Sequence, residues 1–293
     1  RALSLASVWV DLERYEALNE EIGGRLIVLG PLITQLEKVA NAGIGDVTQV
    51  AAAQRTVSRI KVTQAEVAEK LDQARVNFVN SFGVMANNIR FDEDFVSTSL
   101  PLEIDSRLIE NAPKLRSDYA NYLSSSLKLS AVKAKDNFTV GFKGRVTRPF
   151  GNSGRDSDES VGLVINRTLY DGNKLSAEIS EAESRLELSA ANLKATFREG
   201  SRIVQNAQKT IDSSIKGLKL ARDNANVAVD EIQYLRKQLV IGGSTLDSVL
   251  RAEANLYDAV STEVNLLAEK RKAELTILSS LGLLAPALGL SVK

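Results

Sequence analysis

The chain has 293 residues, with 37 Lys and Arg set against 37 Asp and Glu, so its formal net charge is zero. That balance removes the basic excess that a nucleic-acid partner would favour. There is no His and no Cys, which excludes Cys/His zinc sites, iron–sulfur clusters, disulfides and every Ser-His-Asp or Cys-His catalytic arrangement.

Aromatic residues are only 5% of the chain, and the prolines are Pro31, Pro101, Pro113, Pro149 and Pro286. Long proline-free stretches can therefore form very long helices. Residues 1 to about 41 predict a helix, with Leu3, Val8, Leu12, Tyr15, Leu18 and Ile22 on one stripe. Gly23-Gly24 and Gly30-Pro31 interrupt it, and Pro31 predicts a kink or break. A tight turn follows at Gly43 to Gly45, with Asp46 as N-cap of a second helix running to about residue 86. Its inward positions are Val47, Val50, Val57, Ile60, Val67, Leu71, Phe78 and Phe82, and the two helices form an antiparallel hairpin.

Residues 87–112 lose the rhythm and read as irregular. Residues 113–129 read as helix, with Pro113 suited to the first turn. A β-hairpin follows: Phe138, Val140 and Phe142 alternate with polar residues and glycine, and Val161, Leu163 and Ile165 alternate on the return. The polar run 152–160 reads as its loop, and Asp171-Gly172-Asn173 ends it. From Lys174 to about Val240 there is no proline. Apolar residues from Leu175, Ile179 and Leu186 through Ile215, Leu218, Val227, Val229 and Ile232 recur three or four apart. About 67 residues give a helix of roughly 100 Å, which needs a partner along most of its length. Gly242-Gly243 reverses the chain, and Leu246, Val249, Leu256, Val260, Val264, Leu267, Leu275 and Leu278 supply that partner for about 37 residues. Residues 275–292 are uncharged but hold Gly282, Pro286 and Gly289, which predicts a helix end and a packed loop rather than a membrane span. Short barrel strands stay open as a possibility.

The chain repeats itself. Residues 41–50 are similar in pattern to residues 240–249, and the same offset places Gly43 on Gly242, Phe78 on Ile277, Phe82 on Leu281 and Gly83 on Gly282 without a gap. The second copy begins near Pro113, so equal copies would require roughly 90 further residues before the first. Arg1 rather than Met stands first, and a processed or truncated chain is expected, in which a removed signal would leave no trace.

A lone β-hairpin has two unpaired edges and is marginal by itself. Here one face is apolar, and the other carries Thr139, Lys143, Arg145 and Asn166. Apolar-out, polar-in alternation suits a barrel with a wet lumen, closed by strands of other chains.

At this point the chain resembles the outer-membrane efflux protein family, the TolC-like channel-tunnels. The resemblance rests on Val161-Gly-Leu-Val-Ile-Asn-Arg-Thr-Leu-Tyr-Asp-Gly172 at the strand-to-helix junction. It rests also on Ile241-Gly-Gly-Ser-Thr-Leu-Asp-Ser-Val-Leu-Arg-Ala-Glu-Ala-Asn-Leu-Tyr-Asp-Ala259 at one tip and residues 41–54 at the other. It covers nearly the whole chain. It implies a mostly α fold with a small β part: long antiparallel helical hairpins forming a periplasmic tunnel, and a β-hairpin contributing to a trimeric transmembrane barrel. The implied divisions are 1–86 (first-repeat hairpin), 87–129 (equatorial connector and short helix), 130–172 (barrel hairpin), 173–283 (second-repeat hairpin) and 284–293 (C-terminal equatorial segment). Each protomer of a homotrimer would give about four strands to a barrel of about twelve, whereas one hairpin per chain supplies about six. The first-repeat hairpin is then expected in the part that precedes residue 1.

The resemblance further implies a passive conduit of the Gram-negative outer membrane, serving efflux or type I secretion. Its partners would be a periplasmic adaptor (membrane fusion) protein, an inner-membrane transporter and outer-membrane lipid, with no nucleic acid, no cofactor and no metal. Its tips would dock the adaptor and gate the tunnel; they map to Gly43, Asp46, Gln49, Gly242, Gly243, Asp247, Ser248 and Arg251. The barrel residues would be Phe138, Val140, Phe142, Val161, Leu163 and Ile165. Family channels often narrow this end with acids, but Gln49, Ser248 and Arg251 stand where acids would be sought. Asp247 and Arg251, at i and i+4, read either as part of a gate or as a helix-surface ion pair. Phe138, Phe142, Phe150 and Tyr170 read either as ordinary strand-region residues or as an interfacial aromatic belt. No carboxylate constellation argues for acid–base chemistry, and Gly23-Gly24 and Gly242-Gly243 lack the lysine of a phosphate loop, so the chain does not read as an enzyme. The rival from another class is a scaffolding coiled-coil protein without a pore.

Overall fold

The computed structural model describes residues 2–43, 47–85, 99–101, 104–148, 158–168 and 170–288. The chain divides into two units, Arg1–Asp105 with Ser201–Lys293, and Ser106–Gly200.

In the first unit, α1 (Ala2–Ala42) and α2 (Val47–Phe82) form the predicted antiparallel hairpin. Its core is a series of small clusters. Leu12 meets Leu71, Ala74 and Phe78 toward the open end, and Leu29 and Leu36 meet Ala53, Val57 and Ile60 toward the turn. Trp9 lies edge-on to Phe78 and Phe82 at 6.0 and 6.1 Å, and those two rings stack at 4.4 Å. A third helix, α6 (Leu246–Ser280), packs on both: Leu250 enters the Leu29 cluster, and Leu275 and Leu278 close around Val10 with Ala268 and Leu284. Leucines slide past one another cheaply, so polar pairs fix the register of α1 on α6. Arg271 donates to Glu13, Lys272 to Asp11, and Arg14 to Asn265, each at 2.6 Å. The last helix of the unit is the short α7 (Leu284–Ala287).

Residues 201–240 of α5 (Lys174–Val240) also belong to this unit, and α5 is the predicted 67-residue helix. Ala228 and Ile232 pack on Ala252 and Leu256 of α6. At Gly217 a Cβ would stand 2.9 Å from a methyl of Leu266, so only glycine admits that leucine without a shift.

Several expectations change. α1 is continuous through Gly23-Gly24 and Gly30-Pro31. Pro31 removes the donor to Ile27, but Ile27 is 79% exposed, so water can take that carbonyl, while Leu29 and Leu36 on the opposite side stay packed. Val47, assigned inward, is exposed at the start of α2, and Ile215, Val227 and Val229 of α5 are exposed as well. α6 ends at Ser280, and Leu281 and Leu284 beyond it are buried, which is the packed segment expected there. Among the described residues no helix is long and apolar enough to cross a membrane.

In the second unit a five-residue helix, α3 (Ser106–Glu110), occupies part of the stretch read as irregular. α4 (Pro113–Lys133) carries Pro113 in its first turn as expected and runs one turn further than the sequence suggested, into a 3₁₀ turn at Ala134–Asp136. It lies antiparallel to residues 174–200 of α5: Thr196 donates to Asp118 at 2.6 Å, and Lys133 and Lys135 pair with Glu183 and Glu178 at 2.9 and 2.7 Å. No described side chain of α5 before residue 201 is fully buried. The strands β1 (Thr139–Thr147) and β2 (Asp158–Asn166) pair antiparallel, with Val140 opposite Ile165, Phe142 opposite Leu163 and Gly144 opposite Val161. β2 therefore starts within the run read as loop. Phe150 and residues 149–157 lie outside the described residues, as do residues 86–98 at the start of the predicted connector and the end of the chain (289–293).

Candidate functional site: helix tips and strand pair

The turn between α5 and α6 is built by local hydrogen bonding. Gly243 N donates to the Gln238 carbonyl at 2.9 Å and Gly242 N to the Leu239 carbonyl at 3.3 Å, the paired bonds of a Schellman end. Gly242 has φ +77°, which a side chain would strain. Thr245 then caps α6, accepting from Ser248 N at 3.2 Å, with the two hydroxyls 2.8 Å apart. The same logic ends α6: Leu283 N donates to the Leu278 carbonyl, and Gly282 has φ +75°. Gly43 and Gly83, their repeat equivalents, also take positive φ, at +62° and +73°. All four glycines that align the repeat thus terminate helices.

At the second tip, Asp247 sits in the first turn of α6, where a negative charge complements the helix dipole. It pairs with Arg251 at 2.7 Å, but it is more than a surface partner: its side chain is 12% exposed and accepts from Thr56 Oγ1 of α2 at 3.0 Å. The Thr56 hydroxyl is also 3.2 Å from the Ala52 carbonyl, so one proton serves two acceptors. Ser248 is half-buried against Thr245, while Arg251 and Gln49 face outward. Asp46 lies outside the described residues. Val240 and Ile241 are exposed beside the turn.

Further along α6, Glu253 is buried and accepts from Arg236 of α5 at 2.7 Å, with Arg25 of α1 at 3.5 Å. Nothing local in the sequence announced this triad. Thr245 was legible: a threonine after a glycine pair, three residues before a serine, at the position equivalent to Asp46, is an N-cap pattern. Burial, with the carboxylates of Asp258 and Glu21 nearby, pushes the Tyr257 hydroxyl above its ordinary range.

The strand pair carries the second group of predicted residues. Val140, Phe142, Val161, Leu163 and Ile165 share one face, and all are exposed, Phe142 at 86% and Val161 at 85%. The other face presents Thr139, Lys143, Arg145, Ser160 and Asn166. Phe138 precedes the strand instead of belonging to it, with the Arg167 guanidinium 5.1 Å above its ring. Below the strands, the Lys135 ammonium donates to Glu178 and holds that carboxyl below its usual range. Asp171 accepts from Leu175 N at 2.7 Å and opens α5, after Gly172 and Asn173 turn the chain with φ +68° each. Among the described residues no group of His, Cys, Asp and Glu is gathered to hold a metal ion.

Residues 106–283 match the family model described as outer membrane efflux protein. The fold is similar to the outer membrane protein VceC from Vibrio cholerae, with TM-score 0.76 and 16% identity over 96% of this chain and 69% of that one. It is similar to the open state of the MtrE outer membrane channel from Neisseria gonorrhoeae, with TM-score 0.75 and 16% identity over 96% of this chain and 66% of that one. It is also similar to a membrane protein from Pseudomonas aeruginosa, with TM-score 0.76 and 14% identity over 95% of this chain. This chain spans 65% of the length of that last structure. No curated protein matches the sequence.

Proposed function

The chain belongs to the outer membrane efflux protein family, and from that premise we propose that it is one stave of a channel-tunnel. The observation that carries the reading is the strand pair: a two-stranded sheet with an apolar face wholly exposed and a polar face behind it. Lipid on the apolar face, water on the polar face and further strands at the two edges, from the first-repeat hairpin and from identical copies, would satisfy all of its groups together. Three copies would close the barrel in the outer membrane, and the helical hairpins would extend it into the periplasm. The exposed apolar positions of α5 would then meet neighbouring copies.

In this reading the protein is a passive conduit without catalysis. An inner-membrane transporter would supply the energy, and a periplasmic adaptor would dock on the tips formed around Gly43, Asp46, Gln49, Gly242, Gly243, Ser248 and Arg251. Asp247, tied to both Arg251 and Thr56, would help hold the tips in place, and their opening would gate the passage for efflux or type I secretion. The test is solubility and assembly. The full-length protein should require detergent and run as a heat-resistant trimer. An elongated monomer or dimer that is stable in plain buffer would instead make it a scaffolding protein without a pore.

A further inference from the structure

Glu253 is 2% exposed, on the face of α6 turned toward α1, α2 and α5. Its Oε1 accepts from Arg236 Nη2. Its Oε2 is buried without a hydrogen-bond partner among the described residues. The nearest cation to Oε2, Arg25 Nη1, stands 3.5 Å away, and Arg25 is held from its other side by Nε donating to Glu21 at 2.7 Å. The Arg25 guanidinium thus offsets the charge of Oε2 without hydrogen-bonding it, and a buried carboxylate oxygen that lacks a hydrogen bond is costly, which leaves its lone pairs open to a small donor.

Next to Glu253 lies a cavity of about 80 Å³, whose lining includes Arg25, Arg59, Thr63, Ala254 and Tyr257. It is large enough for several water molecules, and it offers the two to four polar partners that each would need. Thr63 donates its own proton to the Arg59 carbonyl at 3.1 Å, which leaves its lone pairs open to a donor. The charged residues of the lining balance, Arg25 and Arg59 against Glu253 and Asp258, so no net charge selects an ion. We infer that the cavity is a water site, in which ordered water accepts from the Arg25 guanidinium and donates to Glu253 Oε2. The joint between α1, α5 and α6 is then bonded partly through solvent. Such a joint can be redrawn as the helices shift, because water keeps the carboxylate satisfied over a range of separations that a direct ion pair does not span.

A filling substitution separates water from an empty void by sign. In the full-length protein assembled in detergent, Ala254→Leu places a larger side chain against the cavity. If bonded water is displaced, Tm falls by about 3–8 °C; if the space is dry, Tm rises, and the inference is overturned. The same substitution is then made in the background Glu253→Leu with Arg236→Met, where no carboxylate needs water and the penalty should vanish. An equal penalty in both backgrounds marks steric overpacking and also overturns it. Should that background fail to assemble, a crystal structure of the unsubstituted protein decides: water within hydrogen-bond distance of Glu253 Oε2 supports the site, and a cavity without water refutes it.

Discussion

In the helical unit Leu12, Leu29, Leu250 and Leu275 have no measurable exposure, whereas Phe142 and Val161 of the strand pair keep 86% and 85% of theirs. The residue chemistry is the same, so the difference lies in what each region has been given to pack against. α1, α2 and α6 supply one another with apolar stripes and lock their register with Glu13–Arg271 and Asp11–Lys272. Among the described residues the strands pair only with each other, and a two-stranded sheet cannot cover its own face. Among the described residues the helical unit buries its leucines against one another, and the strand pair leaves its apolar face open.

Substitutions should therefore act on different observables in the two regions. Leu275→Ala should destabilise the helical unit by about 2–5 kcal/mol, read as a fall in its unfolding midpoint. If the cost there were no larger than at an exposed position, the contrast would fail. Leu163→Arg or Phe142→Arg should leave helix content and midpoint unchanged while costing about 2–4 kcal/mol for a lipid-facing position; the expected result is loss of the detergent-extracted trimer. Gly242→Ala forces a side chain into a left-handed conformation at about 1–2 kcal/mol, and should lower export with trimers intact; normal export would detach the tip from the mechanism. Asp247→Asn should cost about 1 kcal/mol through its Arg251 and Thr56 contacts, and Thr56→Val should cost less when Asp247 is already Asn. The smallest effect is at Tyr257. Its folded-state value is raised, so its neutral form favours the fold at ordinary pH, and that contribution is lost as pH rises from about 10 through the raised value. Tyr257→Phe should flatten the alkaline edge of the stability profile.

The elements were legible where their causes are local. Lys174–Val240 could be bounded from sequence because nothing in 67 residues breaks a helix and Gly242 ends it. Gly43, Gly242 and Gly282 were legible for the same reason, since the requirement for positive φ acts within a single turn, whereas Gly83 ends α2 at Phe82, short of the residue 86 expected. Of the kink or break expected at Pro31, the break did not appear, because packing at Leu29 and Leu36 outweighs one missing bond on an exposed side. Thr56 and Asp247 are separated by 191 residues, and Glu253 meets partners on two other helices. No window along the chain contains both ends of such contacts, so the polar ties of the tips emerge only when the helices are assembled.

Gly43 and Gly83 stand as far apart along the chain as Gly242 and Gly282, and the two arms they bracket measure 36 and 35 residues. The molecule thus holds two matched yardsticks. A seven-residue block inserted into one hairpin alone would throw its tip out of step by roughly 10 Å, while the same block in both would lengthen the object and keep its ends flush. Paired increments of whole turns are therefore the length changes expected to keep the two tips level.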